Sequence, residues 1–122
     1  MSSSPRRFPA RVYGRGSEPD PRFSLANERT FLAWVRTSLA LLAAGVALEA
    51  LDLPVHPGLR VAASLVFLLL GVLAPVQAWR GWAGAERALR EGRPLPAPAL
   101  AAPLAAGTVV AGMLLVVGVL LA

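Results

Sequence analysis

Residues 22–50 read RFSLANERTFLAWVRTSLALLAAGVALEA. Within this stretch Arg22, Ala26, Arg29, Ala33, Arg36, Ala40, Ala43, Ala47 and Ala50 recur at alternating steps of four and three. That is the seam period of a helix packed on other helices. A helix that faces only lipid has no reason to keep one face this small, nor to place arginines at seven-residue spacing on it. The pattern predicts a membrane helix whose alanines (Ala26, Ala33, Ala40, Ala43 and Ala47) allow close approach of neighbouring helices. At one end the same face becomes a ladder of positive charge.

The rest of the chain supports a membrane setting. Of 122 residues, 56% are hydrophobic and 16% charged, and mean hydropathy is +0.59. A soluble domain this small needs far more polar surface, so the composition predicts one integral membrane domain. The absence of cysteine excludes a disulfide framework and any thiolate ligand or nucleophile. The net charge of +5 comes from arginine alone. Arginine favours bidentate contact with phosphate and carboxylate, although the Arg, Ala, Gly and Pro bias of a GC-rich genome is the simpler cause of the missing lysine.

Three apolar runs predict an all-α fold with three transmembrane helices. Residues 1–18, rich in Ser, Pro, Gly and Arg, are expected to form a disordered cytoplasmic tail. The domain then occupies residues 19–122. Asp20-Pro21 or Ser24 is the expected start of the first helix, and its membrane part covers about 31–51, long enough to cross a bilayer. Asp52, Pro54, Pro57 and Gly58 make a turn. The second span covers about 59–79 with a kink at Pro75, and the third about 98–122. Arg80, Arg87, Arg90 and Arg93 lie in what reads as the second loop. The first loop has only Arg60, beside Glu49 and Asp52. The positive-inside rule places the N-terminus and second loop in the cytoplasm and the C-terminus outside, with Trp34, Trp79 and Trp82 at the cytoplasmic interface. No short basic region precedes the first apolar run, so a retained first span is expected rather than a cleaved leader.

The run Asn27-Glu28-Arg29-Thr30-Phe31-Leu32-Ala33-Trp34, followed by Arg36-Thr37-Ser38, resembles the signature of the YidH-like family of small bacterial inner-membrane proteins, domain of unknown function 202. The same layout is similar to the membrane domain of the eukaryotic vacuolar transporter chaperone complex, which makes polyphosphate and moves it across a membrane. There, first helices of several subunits surround a basic conduit. That resemblance implies pore-lining roles for Arg22, Arg29 and, by a looser alignment, Arg80. These residues hold neither the polymerase nor the phosphate-sensing domain of that complex, so polymer synthesis is not expected.

Each candidate residue has a plainer reading. Arg22, Arg29 and Arg36 can snorkel to lipid phosphates, and Arg36 is only about 8 Å inside the Phe31 end at helical rise. In an oligomer built around the seam, each arginine would instead form a ring, as in pores that select anions. Glu28 adjoins the seam and is expected in a structural ion pair. Asn27 and Thr30 are expected to anchor the helix start by local hydrogen bonds. Gly71 and Ala74, with Gly107, Ala111 and Gly112, are expected packing contacts. His56, alone in a turn, is not a metal ligand candidate. With no Ser/His/Asp set, metal cluster or phosphate loop, the pattern predicts no enzyme, no metal and no cofactor.

The expectation is therefore a homo-oligomer in the cell (inner) membrane that contacts lipid and no nucleic acid. It would carry an arginine-lined path for an inorganic anion or polyphosphate around the first helix. The alternatives are an accessory or scaffold subunit packing on another membrane protein, and an anionic-lipid binder.

Overall fold

The computed structural model describes residues 7–122 as four helices: α1 (Ala10–Tyr13), α2 (Pro21–Ala50), α3 (Pro57–Glu91) and α4 (Ala101–Leu120). The last three are long and apolar enough to cross a membrane. Helix α3 packs against both α2 and α4, whereas α2 and α4 meet only through side chains such as Leu41 and Leu104.

Local chemistry sets the helix ends. Asp20 caps α2, its Oδ1 accepting the Arg22 backbone N–H at 2.9 Å, and Pro21 opens the helix where a missing N–H costs nothing. His56 caps α3 in the same way: Nδ1 accepts the N–H groups of Gly58 and Leu59 at 3.2 and 3.4 Å. Gly92 ends α3 at φ +65°, a conformation that glycine adopts without steric cost.

The helix that holds the expected second span of about 59–79 reaches beyond that span. Helix α3 continues through Arg80, Arg87 and Arg90 to Glu91. The stretch RGWAGAERALRE consists mainly of good helix formers and holds no proline. Apolarity marks where the lipid stops, not where the helix does. At 1.5 Å per residue α3 is about 52 Å long, some 20 Å more than a hydrocarbon core. The third helix begins at Ala101, just after Pro98.

Close approach of α2 and α3 rests on two reciprocal serine–glycine contacts. The Ser38 hydroxyl donates to the Gly71 carbonyl, and the Ser64 hydroxyl donates to the Gly45 carbonyl at 2.7 Å. All four residues are buried. A Cβ on Gly45 would meet Leu68 Cγ at 2.7 Å, and one on Gly71 would meet Leu42 Cγ at 2.7 Å and the Leu42 backbone N at 3.1 Å. The first contact also has a backbone cause. Pro75 has no N–H to offer Gly71, four residues back, so that carbonyl would be orphaned in the helix interior. The Ser38 hydroxyl takes the vacant position.

Helix α4 joins α3 through Ala111, fully buried, and Gly118, whose carbonyl accepts the His56 N–H at 2.9 Å. Gly107 abuts Leu70, whereas Gly112 has open space beside it and is not a packing contact. Leu41, Ala78, Leu100 and Leu104 form the main buried apolar cluster, flanked by Phe31, Trp34, Phe67 and Leu70.

The proline–serine relation predicts a specific coupling. Ser38→Ala should destabilise the fold by about 1–2 kcal/mol, as expected for loss of an interhelical hydrogen bond in lipid. Pro75→Ala restores an N–H to Gly71, so the loss from Ser38→Ala should be at least halved in the Pro75→Ala background. Reversible unfolding in mixed micelles measures both; equal losses in the two backgrounds would contradict the relation.

A cleft at the arginine-rich end

The ends of α2 and α3 that carry most of the arginines are fastened by polar groups. Glu86 on α3 is 2% exposed. Its Oε2 accepts from the Ser24 hydroxyl at 3.1 Å and its Oε1 from the Asn27 side-chain amide at 3.3 Å. The same Asn27 amide donates to the Trp82 carbonyl at 3.0 Å. Asn27 thus reaches across to α3 instead of bonding locally, while Thr30 does bond locally, donating to the Ala26 carbonyl at 3.1 Å. A buried carboxylate is costly unless hydrogen-bonded, and these neutral donors supply part of that need.

Residues 7–18, expected to belong to a disordered tail, form a strap against α3 that contains α1; Met1 to Arg6 lie outside the described residues. Arg90, 6% exposed, holds the strap. Its guanidinium donates to the carbonyls of Arg15 at 2.7 Å and Tyr13 at 3.0 Å, and pairs with Glu18 at 3.1 Å. The Ser17 N–H returns a bond to the Arg90 carbonyl at 3.0 Å. Gly16 sits between them at φ +57°, with no room for a Cβ against that carbonyl. Arg87 adds a bond to the Arg11 carbonyl at 3.2 Å. Composition concealed this strap, because it is held through its own backbone carbonyls by two arginines distant in sequence, Arg87 and Arg90.

A cleft of about 440 Å³ lies between strap, α2 and α3. Its walls are aromatic: Trp79 and Trp82 have ring centroids 5.1 Å apart, Phe31 lies 6.2 Å from Trp79, and Tyr13 lies 6.2 Å from Trp82. Glu18, Glu28 and Glu86 also line it, with Arg7 and Arg90. Arg7 pairs with Glu18, and its guanidinium stands 4.3 Å from the Tyr13 ring centroid. A second, more apolar cleft of about 520 Å³ is lined by α2, α3 and residues 95–100, with Trp34, Trp82 and Arg80 on its walls. The three tryptophans therefore gather at one end.

The anticipated site residues fall into distinct environments. Ala26, Ala33, Ala40 and Ala43 are exposed, as are Arg22, Arg29 and Arg36, and Ala47 is half-buried. The seam does not pack within the chain. The face of α2 that does pack carries Asn27, Phe31, Trp34, Ser38, Leu41 and Gly45, which lies nearly opposite at 100° per residue. Arg22 is already paired: its side chain and backbone N–H both bond Asp20, with Nη2 2.8 Å from Oδ2. Arg29, Arg36 and Arg80 have no ion-pair partner among the described residues, and neither has Glu28. Among these residues no group of His, Cys, Asp or Glu is placed to hold a metal ion.

Three apolar helices, two of them running past the lipid into a polar end, define a small multi-pass membrane protein. Residues 22–88 match the family described as Domain of unknown function (DUF202), and the chain belongs to that family. It is 47% identical over 98 residues to the uncharacterized protein Rv2272 of Mycobacterium tuberculosis, covering 79% of this chain and 80% of that one. It is also 47% identical over 83 residues to the inner membrane protein YidH of Escherichia coli, covering 66% and 71%. The family match and the three spans make it a YidH-like protein of the inner membrane. No solved structure matches the chain.

Two predictions follow from this end of the molecule. Gly16→Ala should release the strap, raising amide exchange and protease cleavage in residues 7–18 about tenfold, with the spans unaffected. The Asp20 carboxyl is held below its ordinary value of 3.8, first by the Arg22 side chain and then by the Arg22 N–H. A depressed folded value means that the cap is fully formed above 3.8 and is lost as pH falls through the lower folded value. The Arg22 amide resonance should therefore titrate with a midpoint below 3.8 in wild type and closer to 3.8 in Arg22→Ala.

Proposed function

We propose that copies of this chain assemble along the outward face of α2 and bind or conduct an anion of the phosphate or polyphosphate class. The observation that carries this reading is the exposure of the seam. Arg29, Ala33, Arg36, Ala40 and Ala43 are left uncovered although their period is that of a packing face. Three helices with these arginines on an outward face enclose no arginine path alone, so such a path needs several copies. Exposed alanines let helices approach, and uncovered guanidiniums two turns apart supply anion ligands.

The ion pairs refine the roles. Arg22 meets Asp20 and contributes less net charge, whereas Arg29 and Arg36 are not neutralised among the described residues. Arg80, on α3, borders the second cleft and would bind anions or lipid phosphate to the side of the path. The arginine excess at this end favours a cytoplasmic location for it under the positive-inside rule. The choice of a phosphate or polyphosphate anion rests on the sequence resemblance proposed for Asn27 to Ser38, which no solved-structure match supports. We assign no catalytic step to the chain.

The test joins assembly to flux. Native mass spectrometry from nanodiscs should give a discrete homo-oligomer. In liposomes Arg29→Ala and Arg36→Ala should each lower phosphate or short-chain polyphosphate flux by about tenfold, and Arg22→Ala should lower it less. A monomer, or flux equal in all variants, would defeat the proposal. A larger partner co-purifying at fixed stoichiometry would replace it with an accessory role for the same face. Salt-sensitive binding to anionic vesicles without flux would replace it with lipid binding.

A further inference from the structure

We infer that the 440 Å³ cleft between the strap, α2 and α3 is a binding site for an organic ammonium group, with Trp79, Trp82 and Phe31 as its walls and Glu86 and Glu28 as its counter-charges. This inference concerns the strap side of α2, about a quarter-turn from the seam of the anion path.

The chemistry of the lining points to a cation. Five charged side chains border the cleft, and both arginines, Arg7 and Arg90, are engaged by Glu18. Glu28 and Glu86 are left without a cationic partner among the described residues. Glu86 is almost wholly buried, and its oxygens meet only neutral donors, Ser24 and Asn27. A buried carboxylate gains most from a positive charge brought beside it. An anion would face these carboxylates and be repelled.

The walls select the kind of cation. A hard metal ion needs several oxygen ligands, and no such cluster is present among the described residues. Tryptophan and phenylalanine faces instead attract soft organic cations through the ring quadrupole. The cleft volume is within the range of small-molecule sites. The structure also holds an example of this recognition: the Arg7 guanidinium stands over the Tyr13 ring while paired with Glu18. Arg7 is thus a resident cation on the same wall and a competitor for any incoming one.

An ammonium could come from a free polyamine or from an ethanolamine headgroup, since the cleft lies where the helices leave the lipid. Equilibrium dialysis of the full chain in neutral detergent with radiolabelled spermidine tests the site. Saturable binding is expected in wild type, about tenfold weaker in Glu86→Gln and severalfold tighter in Arg7→Gln. Should Glu86→Gln not fold, Trp79→Leu, at an exposed position, should weaken binding in its place. Competition by dihexanoyl-phosphatidylethanolamine, but not by dihexanoyl-phosphatidylglycerol, would assign the site to the headgroup; saturable binding without that competition would assign it to free amines. Absence of saturable binding in both wild type and Arg7→Gln would overturn the inference. So would unchanged affinity in folded Glu86→Gln and Trp79→Leu.

Discussion

The fold depends on one carbonyl. Pro75 strips Gly71 of its helical partner in a part of α3 where no water can replace it, and the Ser38 hydroxyl fills the gap. A hydrogen bond with so little choice of partner fixes the register of α2 on α3. The other polar pairs obey the same register. Ser38 with Gly71, Gly45 with Ser64, Asn27 with Trp82 and, within one residue, Ser24 with Glu86 lie symmetrically about the Pro54–Val55 bend. A single antiparallel hairpin thus runs from the short turn between α2 and α3 to the far polar end. Glycine on one helix faces serine on the other, which brings the backbones close enough for hydroxyl to reach carbonyl.

Much of this was legible in the sequence. Three apolar runs, the Asp20-Pro21 start and the proline-rich turn each correspond to a feature of the structure. The limits of that reading have physical causes. Hydropathy reports lipid contact and says nothing of a helix that continues into water, so Arg80, Arg87 and Arg90 read as loop residues although they are helical. Asn27 resembles a local capping residue until its register with Trp82 is known. Glu86 carries no periodic signal at all; its burial follows from Ser24 and Asn27 on another helix. The alanine–arginine period was a sound sign of a distinct face, but period alone does not say whether that face is covered by the same chain. In the structure it is not.

Charge is divided by face as well as by sequence. Arginines that look equivalent in composition have separate duties: Arg90 binds backbone carbonyls and a carboxylate, Arg22 completes a helix cap, and Arg29 and Arg36 remain on an open surface. The polar end therefore presents two chemistries side by side, a basic face on the outside of α2 and an acidic, aromatic cleft on the inside. Net charge describes neither.

The strap has a consequence for how the protein is made. Residues 7–18 leave the ribosome before α2, yet Arg90 and its neighbours on α3 follow only after the membrane segments of α2 and α3 have been synthesised. The first described residues can therefore find their place only once α2 and α3 have both been threaded and their polar ends stand on one side of the bilayer. Docking of the strap marks a correctly inserted hairpin. A chain whose second span failed to insert would leave residues 7–18 without the buried Arg90 that holds them, so a segment made before α2 takes its place only after α3.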